Sequence, residues 1–286
     1  MLAGGMEYRL VVTGLACLGA LSGCAGAGRA GAGACARPQA FADAAIYNAA
    51  AQTNLVFDPF GRIEAGWAVY APRLGRTVGT ACPVGSPGFA RAVARWQAAH
   101  QLDPHGGVDP ATFEAIKTEW QDARPFVRLR KAGVCPDPPD EARLALVPPA
   151  DSWRGAEVRL QPKAMRALKR MIAAARRADP RIAADPEAMT AFSGYRSPAY
   201  DAARCAAENN CEGLARAACS SHRTGLAVDL ALGAAPGFNV DSSADANRLY
   251  QVNTPAYRWL VANARRFGFV NYAFEPWHWE WTGRRP

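Results

Sequence analysis

Apolar positions along this chain recur with two different periods, and the switch between them marks the elements. In LQPKAMRALKRMIAAARRADP, Met165, Leu168, Ile172 and Ala175 fall at helical spacing, with Pro162 in the first turn. TPAYRWLVANARRFGF predicts a second helix, capped by Thr254, with Tyr257, Leu260, Val261 and Ala264 inward and Gly268 ending it. Upstream, SPGFARAVARWQAAHQL repeats the pattern through Phe89, Val93, Trp96 and Gln97, after a Ser86 cap and Pro87. PATFEAIKTEW adds a helix with Phe113 and Ile116, and residues 39–56 and PAYDAARCAAENN also read as helical. Strand patterns lie elsewhere. LAVDLAL is a near-continuous apolar run around Asp229, and AMTAFSGYRS runs as a strand into a turn at Arg196. In WHWEW, Trp277, Trp279 and Trp281 alternate with His278 and Glu280, a period of two. Residues 61–82 read as further short strands.

The elements predict an α+β protein: a small antiparallel sheet flanked by helices, preceded by a smaller, mostly helical N-terminal region. Half of the 286 residues are hydrophobic, ample for a catalytic domain and something smaller. The proline-rich stretch AGVCPDPPDEARLALVPPA places a linker at 132–154, between a helical region at 41–131 and a catalytic domain at 155–286. At the start, LVVTGLACLGALSG is an apolar run too short to span a bilayer as a mature helix. It reads as a signal peptide over 1–23, with Met1 or Met6 as the start. LSGC resembles a bacterial lipobox, which implies a mature protein beginning at a lipid-bearing Cys24 and anchored to a membrane. A soluble signal peptide cut nearby is the alternative. The Ala/Gly-rich stretch at 24–40 then reads as a flexible tether.

Composition sharpens the compartment. Beyond Cys24 remain Cys35, Cys82, Cys135, Cys205, Cys211 and Cys219, an even number in an exported chain, which suggests up to three disulfides with open pairing. Because three lie in each half, at least one is free or pairs across regions. The three within 205–219 suggest a stapled loop framing a cleft, with 233–248 as a second cleft loop. The net charge of +8 suits an anionic wall polymer or lipid surface. Export argues against nucleic acid as a partner. No phosphate-cradling glycine loop and no Gly-x-Ser-x-Gly elbow occurs, and Ser193 is not a convincing nucleophile.

The chemistry concentrates in SSHRTGLAVD and EPWHWEW. The first supplies His222 and Asp229, and the second supplies His278 with Glu275 three residues before it. Two imidazoles and a carboxylate suffice for a catalytic Zn2+ that keeps an open position. Glu275 beside that position would be the general base. A turn at Gly225 would let His222 meet Asp229, and two adjacent strands would each aim a ligand into one cleft. Alone, each residue reads as a turn cap, a salt bridge or a satisfied sheet histidine. An Asp inside an apolar strand is costly unless paired or metal-bound, which favours the joint reading. His100 and His105 lie beside no other ligand-type cluster and read as surface residues.

These two motifs, Ser-x-His-x-x-Gly-x-Ala-x-Asp and Glu-x-x-His, resemble those of VanY-type zinc D-alanyl-D-alanine carboxypeptidases, in a group with lysostaphin-like endopeptidases and hedgehog domains. The resemblance covers roughly residues 155–284. It implies His222, Asp229 and His278 as zinc ligands, Glu275 as base, and Arg196 as the cation that polarises the scissile carbonyl. Ser220, Ser221 and Tyr195 are candidate substrate contacts. The implied activity is removal of the terminal D-alanine from peptidoglycan stem peptides by a periplasmic lipoprotein. An L,D-carboxypeptidase, an endopeptidase or a non-catalytic wall-binding lipoprotein are the alternatives. VARWQAAHQLDPHGGVDPATFEAI in turn resembles a peptidoglycan-binding repeat, against a hairpin that merely braces the catalytic domain. Oligomeric state is not legible.

Overall fold

The computed structural model describes residues 33–209, 211 and 218–283. The signal peptide, Cys24 and most of the proposed tether lie outside the described residues. The chain is α+β.

Helix α1 (Ala42–Asn54) leads into a short antiparallel pair, β1 (Val56–Phe57) with β2 (Glu64–Ala65). Where strands were expected next, the chain turns through a 3-10 segment into helix α2 (Ala71–Thr77). Pro72 sits in its first turn, a position that needs no amide donor, while Trp67, Tyr70 and Leu74 are buried. Tertiary burial thus overrides the strand-like composition of 66–78. Helices α3 (Pro87–Ala99), α4 (Pro110–Asp122) and α5 (Pro125–Lys131) follow. Ser86 and Asp109 cap α3 and α4 by accepting from the amides of Phe89 and Thr112.

The stretch expected as a linker carries β3 (Ala145–Leu146), paired antiparallel with β4 (Arg159–Leu160). Helix α6 (Pro162–Ala178) buries Met165, Leu168, Ile172 and Ala175, the stripe its sequence lays out. After α7 (Pro180–Ala184) come β5 (Ala191–Ser193), α8 (Pro198–Ala207) and β6 (Ala227–Leu230). Helices α9 (Asp245–Val252) and α10 (Pro255–Asn263) precede β7 (Phe269–Asn271) and β8 (His278–Trp281). Thr254 caps α10, and Gly268, at φ 83°, supplies the left-handed turn into β7.

The four-stranded sheet runs in the order β5, β6, β8, β7, every neighbour antiparallel. One continuous hydrophobic core joins both halves of the chain, from Trp67, Phe89 and Phe113 to Leu168, Val228 and Trp279. Buried ion pairs cross the same boundary: Arg248 with Glu64 at 3.1 Å, and Arg124 with Glu280 at 2.6 Å. Among the described residues three disulfides form: Cys35–Cys82, Cys205–Cys211 and Cys135–Cys219. The last spans 84 residues and ties the proline-rich stretch to the start of the first motif. A loop of that length constrains the unfolded chain by a few kcal/mol, about 2–5.

Candidate active site

Strand register brings the two motifs together. Asp229 on β6 pairs directly with His278 on β8, so both side chains leave the same face of the sheet as nearest neighbours. His222 arrives from a 3-10 turn over Ser221–Thr224. Gly225, at φ 65°, ends that turn in the left-handed region, and its amide donates to the carbonyl of His222. The reversal folds His222 back over the strand it precedes.

The result is a tight, buried triad. Asp229 Oδ1 lies 2.8 Å from His278 Nδ1, Asp229 Oδ2 lies 3.2 Å from His222 Nε2, and the two ring nitrogens are 3.2 Å apart. Among the described residues, this trio is the group of ligand-type side chains able to hold a metal ion, with all donor atoms within 4.8 Å of one another.

The groups behind the histidines decide which nitrogens face inward. His222 Nδ1 donates to the carbonyl of Gly194 at 2.6 Å, which leaves Nε2 with its lone pair. His278 Nε2 faces Ser221 Oγ at 3.0 Å and the Glu280 carboxylate at 3.5 Å, which leaves the lone pair on Nδ1. Two imidazole lone pairs and one carboxylate therefore converge on a single point. Such an arrangement is repulsive unless a proton or a cation sits among them. Ligand atoms of four-coordinate zinc lie about 3.3 Å apart, given bonds near 2.0 Å, and the observed separations match that spacing. The donor set fits a zinc ion.

Without a metal the site resolves the conflict with a proton. Burial opposes charge on His278, but its hydrogen bonds to Asp229 and Glu280 outweigh burial and raise its pKa to about 9. Burial, aided by the Arg196 charge, lowers His222 to about 4. Burial pulls Asp229 the other way, yet the two histidines hold its carboxyl well below the ordinary range.

Glu275 occupies the turn between β7 and β8, its amide on the Tyr272 carbonyl and its own carbonyl on the His278 amide. It stands outside the ligand trio and is buried beside it. Burial is the largest influence on its carboxyl, which is pushed up to about 7 against the opposing pull of His278, Arg196 and Arg124. Arg196 lies 3.8 Å from Asp229 and 3.7 Å from Asp201, and its buried Nε has no hydrogen-bond partner.

These groups open into a cleft of about 620 Å³ lined by Phe192, Arg196, Tyr200, Asp229, Glu275 and Trp277, with Arg204 and Asp241 at its side. The three polar residues read as substrate contacts are engaged elsewhere. Ser220 Oγ bonds Asp201, Ser221 Oγ bonds His278, and Tyr195 Oη bonds Glu141 at 2.9 Å. None of them lines the cleft. Sequence reasoning missed Tyr200 and Arg204, although their spacing of four on a predicted helix puts them on one face. His100 and His105 are exposed, far from any such cluster.

Residues 157–284 match the family model described as VanY: D-alanyl-D-alanine carboxypeptidase. The matched part carries both motifs and the four-stranded sheet. Among solved structures the chain is similar to one titled "Structure of the LdcB LD-carboxypeptidase reveals the molecular basis of peptidoglycan recognition". The identity is 25%, the match covers 51% of this chain and 69% of that one, and the TM-score is 0.36. No curated protein matches the chain.

Proposed function

We propose that the protein is a zinc-dependent carboxypeptidase that removes the terminal D-alanine from peptidoglycan stem peptides ending in D-Ala-D-Ala. The observation that carries this reading is the convergence of two imidazole lone pairs and one carboxylate, with the buried Glu275 carboxyl beside them in the same cleft. A closed structural site would need a fourth protein ligand and no base.

His222, Asp229 and His278 would hold the ion. Bound there, zinc supplies Lewis acidity and lowers the pKa of water to about 7. Glu275, buried beside the trio, accepts the proton that the attacking water loses. It then donates the same proton to the leaving amine. Arg196 lines the cleft and offers its guanidinium to a substrate oxygen, either the carbonyl that gains charge in the transition state or the terminal carboxylate. Phe192, Tyr200 and Trp277 give the cleft apolar walls against which a short peptide can order.

The reading extends to an exported protein held at a membrane by a lipid on Cys24, acting in the periplasm, where disulfides persist. The direct test is incubation of the zinc-loaded protein with stem penta- and tetrapeptides, with products read by mass spectrometry. Loss of one D-alanine from the pentapeptide is expected. Cleavage of the tetrapeptide alone would make it an L,D-carboxypeptidase, and no cleavage of either would remove the enzymatic reading.

A further inference from the structure

His278 and Glu280 are two residues apart on β8 and so share a face of the sheet. Glu280 is 2% exposed, and its carboxylate would be costly there without partners. Each of its partners besides His278 comes from the N-terminal half of the chain. Arg124 Nε and Nη2 both donate to Oε1, at 2.8 and 2.6 Å. The amide of Phe126, in the first turn of α5, donates to Oε2 at 3.2 Å. Oε1 in turn lies 3.5 Å from His278 Nε2.

A second contact reaches the same ring. The Arg124 guanidinium sits 4.0 Å over the face of Tyr272. Tyr272 meets the His278 ring edge-on, with centroids 6.1 Å apart and planes at 90°. Arg124 itself is fixed, with Nη1 on Gln121 Oε1 at 2.9 Å and the side chain 7% exposed.

We infer that Arg124, acting through Glu280, is a positioning residue for His278, so that the N-terminal helical region completes the metal site instead of merely adjoining it. The inference rests on the reading of His222, Asp229 and His278 as metal ligands. The physical case is comparative. A buried ion pair is seldom the most stable filling for its volume, since apolar residues of similar size do as well or better. This pair places a carboxylate 3.5 Å from the outward nitrogen of a ligand histidine, beside Ser221 Oγ at 3.0 Å, and that negative charge keeps the proton on the outward nitrogen and the inward one aimed at the metal. Partners of this kind set the tautomer and basicity of ligand imidazoles, and their loss typically weakens metal binding about 10–100-fold.

The test uses the full mature chain and zinc affinity measured by chelator competition, with cobalt substitution as a spectroscopic probe of ligand geometry. Arg124→Met and Glu280→Gln should each raise the zinc Kd by about 10–100-fold and alter the visible cobalt spectrum. Arg124→Lys should recover part of the affinity. Arg124→Met strands a buried carboxylate. The double variant Arg124→Met with Glu280→Met leaves no unpaired charge, and is expected to fold while still binding zinc weakly. Variants that melt lower than wild type but keep wild-type zinc affinity and cobalt spectrum would reduce the pair to a structural brace. Wild-type protein that binds no zinc at all would overturn the metal reading along with this one, so the two failures are distinguishable.

Discussion

Asp229 and His278 face each other across two antiparallel strands, and the carboxylate oxygen of one lies 2.8 Å from Nδ1 of the other. This register is the hinge of the site, since a slip by one residue would turn both side chains to the opposite face. It also means that the three proposed ligands arise from two strands and one turn with no spare donor among them. His222→Ala or His278→Ala should therefore lose both bound zinc and activity, measured by metal analysis after dialysis. A variant that keeps a full equivalent of zinc would remove that residue from the ligand set.

The ionisation of Glu280 gives a pH prediction for the metal-free protein. Burial works to raise its carboxyl, but Arg124 and the hydrogen bond with His278 prevail and hold it at about 2, below its ordinary value near 4.5. The folded state thus binds that proton more weakly than the unfolded chain does. The resulting stabilisation is complete above about pH 4.5 and is lost as pH falls through about 2. In chelated protein, the stability gap between wild type and Glu280→Gln should be widest near neutrality and shrink through that window. Denaturant titrations at a series of pH values read it directly, and a gap independent of pH would contradict the assignment.

Arg196 permits two kinds of contact, and kinetics separate them. Arg196→Ala should keep zinc, because the side chain stands outside the ligand trio. If the guanidinium meets the oxygen that gains charge in the transition state, the loss appears in kcat. If it grips the terminal carboxylate, KM rises with kcat nearly unchanged. A variant with unaltered kcat and KM would show that the Arg196 guanidinium has no substrate partner.

The trio of His222, Asp229 and His278 was legible as a cluster because its members sit in two short motifs whose local geometry the residues dictate. Gly225 is where a left-handed turn is required, and Asp229 is anomalous in an apolar strand. Helix α6 was legible for a similar reason, since its stripe and Pro162 are local signals. What surrounds the ligands was not. Gly194 reaches His222 through a backbone carbonyl, which carries no side-chain signature. Arg124 and Glu280 are 156 positions apart, and nothing in either neighbourhood names the other. The Cys135–Cys219 pairing is equally long-range. At Ala71–Thr77 the strand expectation failed, because burial of Trp67, Tyr70 and Leu74 governed the backbone more than local composition did.

The central claim is that Glu275 moves protons while His222, Asp229 and His278 hold the metal, and one variant separates these roles. Glu275→Gln is close to isosteric and removes a carboxyl that burial has already brought to near-neutral pKa. Zinc stoichiometry and turnover of a D-Ala-D-Ala-terminated peptide should be measured on the same preparation. The expected result is a full equivalent of zinc, an unchanged fold and a fall in turnover of about 10²–10⁴-fold. A Glu275→Gln protein that releases D-alanine as fast as wild type would contradict the account, whatever its metal content.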